Sequence, residues 1–219
     1  VRRLEFASQI YDAVRIDHFR GFAGYYAVPA DAKDAVGGRW REGPGIGFLW
    51  ALKEKVPGAR VIAENLGFLT EDVYRLLRDS GFPGMKVLQF AFDPRGKSDY
   101  LPYRYERNCV VYTGTHDNTT TEDWQYSAPP GEVAYARRYL NVPEGNSLTD
   151  AMIRSALGSV ADTCIIPMQD YLRLGAQARM NRPGTLGGNW RWRVLKEAIT
   201  PSLAARMRSL STLYGRAEA

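Results

Sequence analysis

Residues 13–21 read AVRIDHFRG. Apart from Arg15, the residues from Ala13 to Ile16 are small or β-branched, the composition of a short buried strand. A strand that only packs ends in turn residues, whereas this one ends in Asp17 and His18. Two other apolar runs end in acids as well. Residues 59–63 (ARVIA) lead straight into Glu64, and residues 109–112 (CVVY) lead into TGTHDN, which holds His116 and Asp117.

Two more apolar runs, 85–92 and 163–167, complete a set of five expected strands. Helical patterns lie between them. Residues 48–56 place Phe48, Leu49, Leu52 and Val56 on one face. Residues 70–80 start at a Thr70 N-cap with a capping-box pattern, carry Glu71 and Asp72 in the first turn, and turn Val73, Leu76 and Leu77 inward. Residues 150–160 and 202–214 are further amphipathic candidates. Alternating strands and helices predict βαβ units and a parallel sheet, either doubly wound or closed as a barrel. Dinucleotide binding on a doubly wound sheet needs G-x-G-x-x-G directly after a strand, and none is present. GPGIG at 43–47 reads instead as a loop turn leading into a helix. The expected fold is therefore α/β of the (β/α)8 TIM-barrel type, in which strand carboxyl ends converge and can gather acids distant in sequence.

Three carboxylates in one pocket suit glycosyl chemistry. A retaining mechanism uses one as nucleophile and one as proton donor, roughly 5 Å apart, and a third can steady the cationic sugar. Arg15 lies two residues before Asp17, on the same side of the strand, where its charge favours the ionised acid. Two other readings stand beside this one. A single Asp after a strand is commonly a turn former or cap. A His/Asp cluster also suits a metal, although the chain has only two histidines, lacks H-x-x-x-H spacing, and carries both cysteines inside strands.

Composition narrows the rest. The net charge of +5 comes from 29 basic and 24 acidic residues over 219 positions. The basic residues are scattered and interleaved with acids, so no nucleic-acid partner is expected. No apolar run approaches the roughly 20 residues of a membrane span, so no membrane partner is expected either. Cys109 (CVVY) and Cys164 (CIIP) read as core thiols in a reducing compartment, which predicts a cytoplasmic location. The amino end, VRRLEFASQIYDA, has neither an initiator Met nor a signal-peptide apolar region, and a fragment is expected.

Taken in series, RIDHFRG, VIAENLG, GTHDNTT and ARMNRPGTLGGNWRWR resemble the 4-α-glucanotransferases called amylomaltase or disproportionating enzyme, glycoside hydrolase family 77. The likeness runs from Ala13 to about Leu195. It implies Asp17 as nucleophile, Glu64 as general acid/base and Asp117 as transition-state stabiliser. Arg15 and His116 match the arginine and histidine that accompany these acids, and His18 is expected to line the pocket. Asp93 (QFAFDP) and Asn181 (ARMNRPG) fall in segments that approach the glucan in the family. On their own residues they read equally well as a turn Asp before Pro94 and a loop hydrogen bond. Trp190 and Trp192 could stack on sugar, with packing the leading reading. The implied reaction is a double displacement between α-1,4-glucans (maltodextrin, or starch- or glycogen-derived donors and acceptors) and requires no cofactor or metal. By the same likeness the Asp17 strand is the fourth of eight. Residues 1–219 are then the carboxyl-terminal portion of the barrel, about its fourth to eighth strands, with no separate second domain. An α-glucan hydrolase of the same clan and an inactive half-barrel are the alternatives.

Overall fold

The computed structural model describes residues 1–218 and divides into two compact units, residues 1–85 and the chain from residue 86 onward. The fold is α/β, with a parallel sheet of five strands as expected.

The first unit contains α1 (Arg2–Ser8), β1 (Val14–Ile16), β2 (Gly24–Ala27), β3 (Arg39–Glu42), α2 (Gly45–Lys55), β4 (Val61–Ala63), α3 (Glu71–Ser80) and the start of β5 (Gly84–Val87). β1 pairs with β4 in parallel, Val14 opposite Val61 and Ile16 opposite Ala63, and β4 pairs with β5 at Ala63 and Gly84. Their common core is Phe19, Leu49, Leu52, Val61, Ala63, Leu76 and Phe82. α2 starts inside GPGIG and buries Leu49 and Leu52. α3 buries Val73 and Leu76 and stops at Gly81, whose φ of 65° suits a residue without a Cβ. One detail departs from the capping-box expectation: Thr70 is the N-cap, but its side chain makes no hydrogen bond to the helix backbone. It pairs with the Asp72 side chain instead, which lowers that carboxyl below the usual range.

The second unit continues β5 and adds β6 (Cys109–Tyr112), α4 (Thr121–Ser127), α5 (Pro130–Tyr139), α6 (Leu148–Leu157), β7 (Thr163–Ile165), α7 (Met168–Tyr171) and α8 (Pro201–Leu213). β6 and β7 pair in parallel, with Val111 opposite Cys164. The main core gathers Phe92, Leu101, Val111, Trp124, Leu148 and Met152, and a second cluster joins Ile153, Leu157, Tyr171, Leu203 and Leu210. Both cysteines are free thiols, and burial pushes each up to about 11.

Three strand expectations need correction. The run 85–92 is a strand only to Val87 and then turns through a 3-10 segment, Leu88–Phe90. β1 is half-buried throughout, and β7 is exposed at Thr163 and Ile165, so neither is covered on both faces. β1 and β7 stand at the two ends of the strand order β1-β4-β5-β6-β7, each with one strand neighbour. Sequence reading also missed the antiparallel β2–β3 pair, since RWRE is too polar to register as a strand, and it missed α4 and α5. No helix among the described residues is long and apolar enough to cross a membrane.

Candidate active site

In the first unit strand register itself sets the geometry. Ile16 and Ala63 are partners across β1 and β4, so the next residues, Asp17 and Glu64, leave adjacent strand ends together. Two backbone bonds hold the pair of exits: Glu64 N–H donates to the Ile16 carbonyl and Phe19 N–H to the Glu64 carbonyl, each at 2.9 Å.

Arg15 Nη2 meets Asp17 Oδ1 at 2.9 Å, and the Asp17 side chain remains 77% exposed, open to a reactant. Arg15 Nη1 lies 3.8 Å from Met85 Sδ, which steadies the guanidinium from its other side. Glu64 is half-buried, and both its oxygens accept backbone N–H groups: Oε2 from His18 and Oε1 from Leu66, each at 2.7 Å. His18 therefore contributes through its amide. Its backbone is left-handed (φ 49°), an uncommon state for a residue with a Cβ, and this turn aims the amide at Glu64. Beside Glu64, buried Asn65 accepts the Met85 N–H at 2.6 Å.

In the second unit His116 and Asp117 sit on the loop between β6 and α4. Asp117 Oδ1 lies 3.4 Å from His116 Nε2 and accepts from Asn181 Nδ2 at 2.6 Å. The backbone joins in: Asn181 N–H donates to the His116 carbonyl at 3.0 Å, and Arg179 Nη2 to the Asp117 carbonyl at 2.5 Å. The Trp190 ring lies 5.0 Å from the His116 ring and is 52% exposed, and Trp192 is half-buried. The structure thus brings Asn181, His116 and Asp117 together. Asp93 is engaged in its own turn, where Oδ1 accepts the Arg95 N–H at 2.9 Å and the Arg95 guanidinium bonds both oxygens. The Arg95 contacts hold the Asp93 carboxyl down to about 2.

A cavity of about 160 Å³ opens at this loop, lined by His116, Asn118, Gln169, Asp170, Arg179 and Met180 among others. Sequence reasoning missed Arg179 and Asp170. Asp170 is 1% exposed and accepts three hydrogen bonds, from the Thr113 hydroxyl and from the Thr121 hydroxyl and amide. Burial pushes its carboxyl above the usual range, against the pull of those bonds. The only hint in the sequence is the polar pair Gln169-Asp170 inside the otherwise apolar segment IIPMQDYL. Among the described residues no group of three or more His, Cys, Asp or Glu side chains is placed to hold a metal ion.

A family model described as 4-alpha-glucanotransferase matches residues 1–198. The 4-alpha-glucanotransferase of Clostridium butyricum is 42% identical over all of this chain, which covers 45% of that protein. A chloroplastic/amyloplastic 4-alpha-glucanotransferase of Arabidopsis thaliana is 45% identical over 99% of the chain, which covers 38% of it. Among solved structures, amylomaltase from Streptococcus agalactiae in complex with acarbose superposes with a TM-score of 0.93 at 38% identity, over 99% of this chain and 44% of that one. The chain thus spans less than half the length of the relatives it matches.

Proposed function

The chain belongs to the 4-alpha-glucanotransferase family, glycoside hydrolase family 77, and on that premise we propose that it carries the catalytic acids of a 4-α-glucanotransferase acting by retaining double displacement. One observation carries this reading: the β1–β4 register sets Asp17 and Glu64 side by side at parallel strand ends.

In the first step an Asp17 oxygen bonds to the anomeric carbon as the α-1,4 C–O bond breaks, and Glu64 delivers its proton to the departing 4-oxygen. The Arg15 guanidinium at 2.9 Å fixes the direction of the Asp17 carboxylate. Each Glu64 oxygen accepts one backbone amide and keeps a further lone pair, so one oxygen can carry the proton to the glycosidic oxygen with its amide bond still in place. In the second step Glu64 takes the proton from the 4-hydroxyl of an acceptor glucan. That oxygen displaces Asp17 and restores the α-linkage. Asp117, its carboxylate oriented by Asn181, is assigned to sugar hydroxyls and to the charge that develops on the ring. Arg15, His18, His116 and Asn181 belong to the binding surface. Asp93 keeps that assignment more weakly, because Arg95 already occupies its carboxylate.

The five parallel strands are read as the later strands of a (β/α)8 barrel, about the fourth to the eighth. Residues 1–219 are then the later part of that barrel. The substrates are α-1,4-glucans: maltodextrins and segments derived from starch or glycogen. The cytoplasmic assignment rests on the two free thiols, and plant relatives carry chloroplastic/amyloplastic names.

The test is incubation with maltotriose and separation of the products by size, using the protein extended to the length of its relatives. Released glucose with a ladder of longer maltodextrins is the expected result. Shorter products alone would favour the clan hydrolase, and no product would overturn the reading.

A further inference from the structure

We propose that Asp170 is a positioning residue that sets the shape of the loop carrying His116 and Asp117. A buried carboxylate is costly unless its oxygens are hydrogen-bonded, and here all three bonds go to the two ends of that loop. Oδ2 accepts the Thr113 hydroxyl at 2.5 Å and the Thr121 hydroxyl at 2.8 Å, while Oδ1 accepts the Thr121 amide at 2.8 Å. Thr113 is the first residue after β6 and Thr121 the first residue of α4. A single side chain therefore pins the point where the loop leaves the sheet and the point where it enters the helix.

Gln89 grips the same loop through its own amides. Its N–H donates to the Thr113 carbonyl at 3.2 Å, and its Nε2 donates to the Thr119 carbonyl at 3.0 Å and reaches the Thr121 hydroxyl at 3.5 Å. The fit is close, since a Cβ on Gly114 would lie 2.7 Å from that Nε2. With both ends fixed, the seven residues between them have few shapes left, and Asn181 and Arg179 meet a preset His116-Asp117 backbone. None of the three bonds goes to His116, Asp117 or a sugar, so Asp170 acts through Thr113 and Thr121.

The effect on turnover rests on the glucanotransferase reading, whereas the effect on the loop does not. Asp170→Asn keeps the side chain's shape but replaces one accepting oxygen with an N–H2, which either faces the Thr121 amide donor to donor or makes the two hydroxyls turn and give up their bonds to the carboxylate. The test compares Asp170→Asn, Thr121→Val and Thr121→Ser by amide hydrogen exchange and by maltotriose kinetics. In Asp170→Asn and Thr121→Val, exchange at residues 114–120 is expected to rise roughly tenfold, while amides of β6 and α6 stay as in the wild type. kcat is expected to fall roughly tenfold with KM changed less than about twofold, and Thr121→Ser is expected to retain wild-type values on both readouts. Loop exchange that stays unchanged, or that rises only together with the β6 and α6 amides, overturns the proposal. If Asp170→Asn fails to fold, the Thr121 pair decides by the same criteria. A wild type without turnover counts against the functional reading alone, and the exchange data still decide the positioning role.

Discussion

The acids of the two units are held in different ways. Asp17 and Glu64 each lie one residue beyond a strand, and the pairing of Ile16 with Ala63 is enough to set them next to each other. Asp117 lies five residues beyond the end of β6, on a loop held by side chains far along the chain: Asp170 and Gln89 at its ends, Arg179 and Asn181 beside Asp117 itself. In the first unit backbone pairing does the positioning, and in the second a buried polar network does. Strand register is cooperative and tolerates side-chain changes. A network of single hydrogen bonds can be weakened one member at a time.

Mutations at the two places should therefore fail differently. Asp17→Asn removes the proposed nucleophile without touching any backbone bond, and it is expected to abolish transfer in a protein that remains folded, checked by product analysis alongside circular dichroism. Glu64→Gln retains a similar shape and is expected to slow turnover of maltotriose by on the order of 10³-fold. Asn181→Ala takes one charge-assisted bond from Asp117 and is expected to lower kcat/KM by roughly 10–100-fold. An Asn181→Ala loss as complete as that of Asp17→Asn would break the comparison, because the network would then be as indispensable as the nucleophile.

Two smaller effects sharpen it. Gly84→Ala introduces a Cβ 2.9 Å from the amide of buried Asn65, the neighbour of Glu64. It is expected to cost about 1–3 kcal/mol in urea unfolding, with residual turnover intact because β1–β4 pairing is untouched. The last concerns pH. Asp170 has its carboxyl raised in the folded state, chiefly by burial and also by Glu122. Its folded form thus holds a proton more tightly than its unfolded form, so its contribution to stability is full below the ordinary carboxylate range, about pH 4. That contribution is lost as pH rises through the folded value. The stability advantage of wild type over Asp170→Asn is expected to shrink as pH rises from about 4, and an advantage that grows would contradict the assignment.

The same contrast explains what was legible in the sequence. An acid immediately after an apolar run is a local signal, and RIDH and VIAEN disclosed β1, β4 and their acids without any structure. THDN disclosed its acid but not its support. Asp170 lies far from Asp117 in sequence, and its one local hint, a polar pair inside the apolar segment IIPMQDYL, does not say which loop it supports. β2 and β3 were missed because RWRE lacks the apolar alternation that marks a half-buried strand, and all four of its residues are in fact exposed. The run 85–92 read as one long strand because composition cannot show where an apolar segment turns. The turn comes at Leu88, where the backbone of Gln89 is drawn to the Thr113 carbonyl.

The central claim is that Asp17, placed by register beside Glu64, forms the covalent bond to sugar. Its most direct test uses Glu64→Gln with an α-maltotriosyl fluoride, whose leaving group departs without protonation, followed by proteolysis and mass spectrometry. The account predicts a maltotriosyl group on the peptide containing Asp17, accumulating because the variant has no base to release it. A label on Asp117, or an unlabelled variant beside an active wild type, would contradict it.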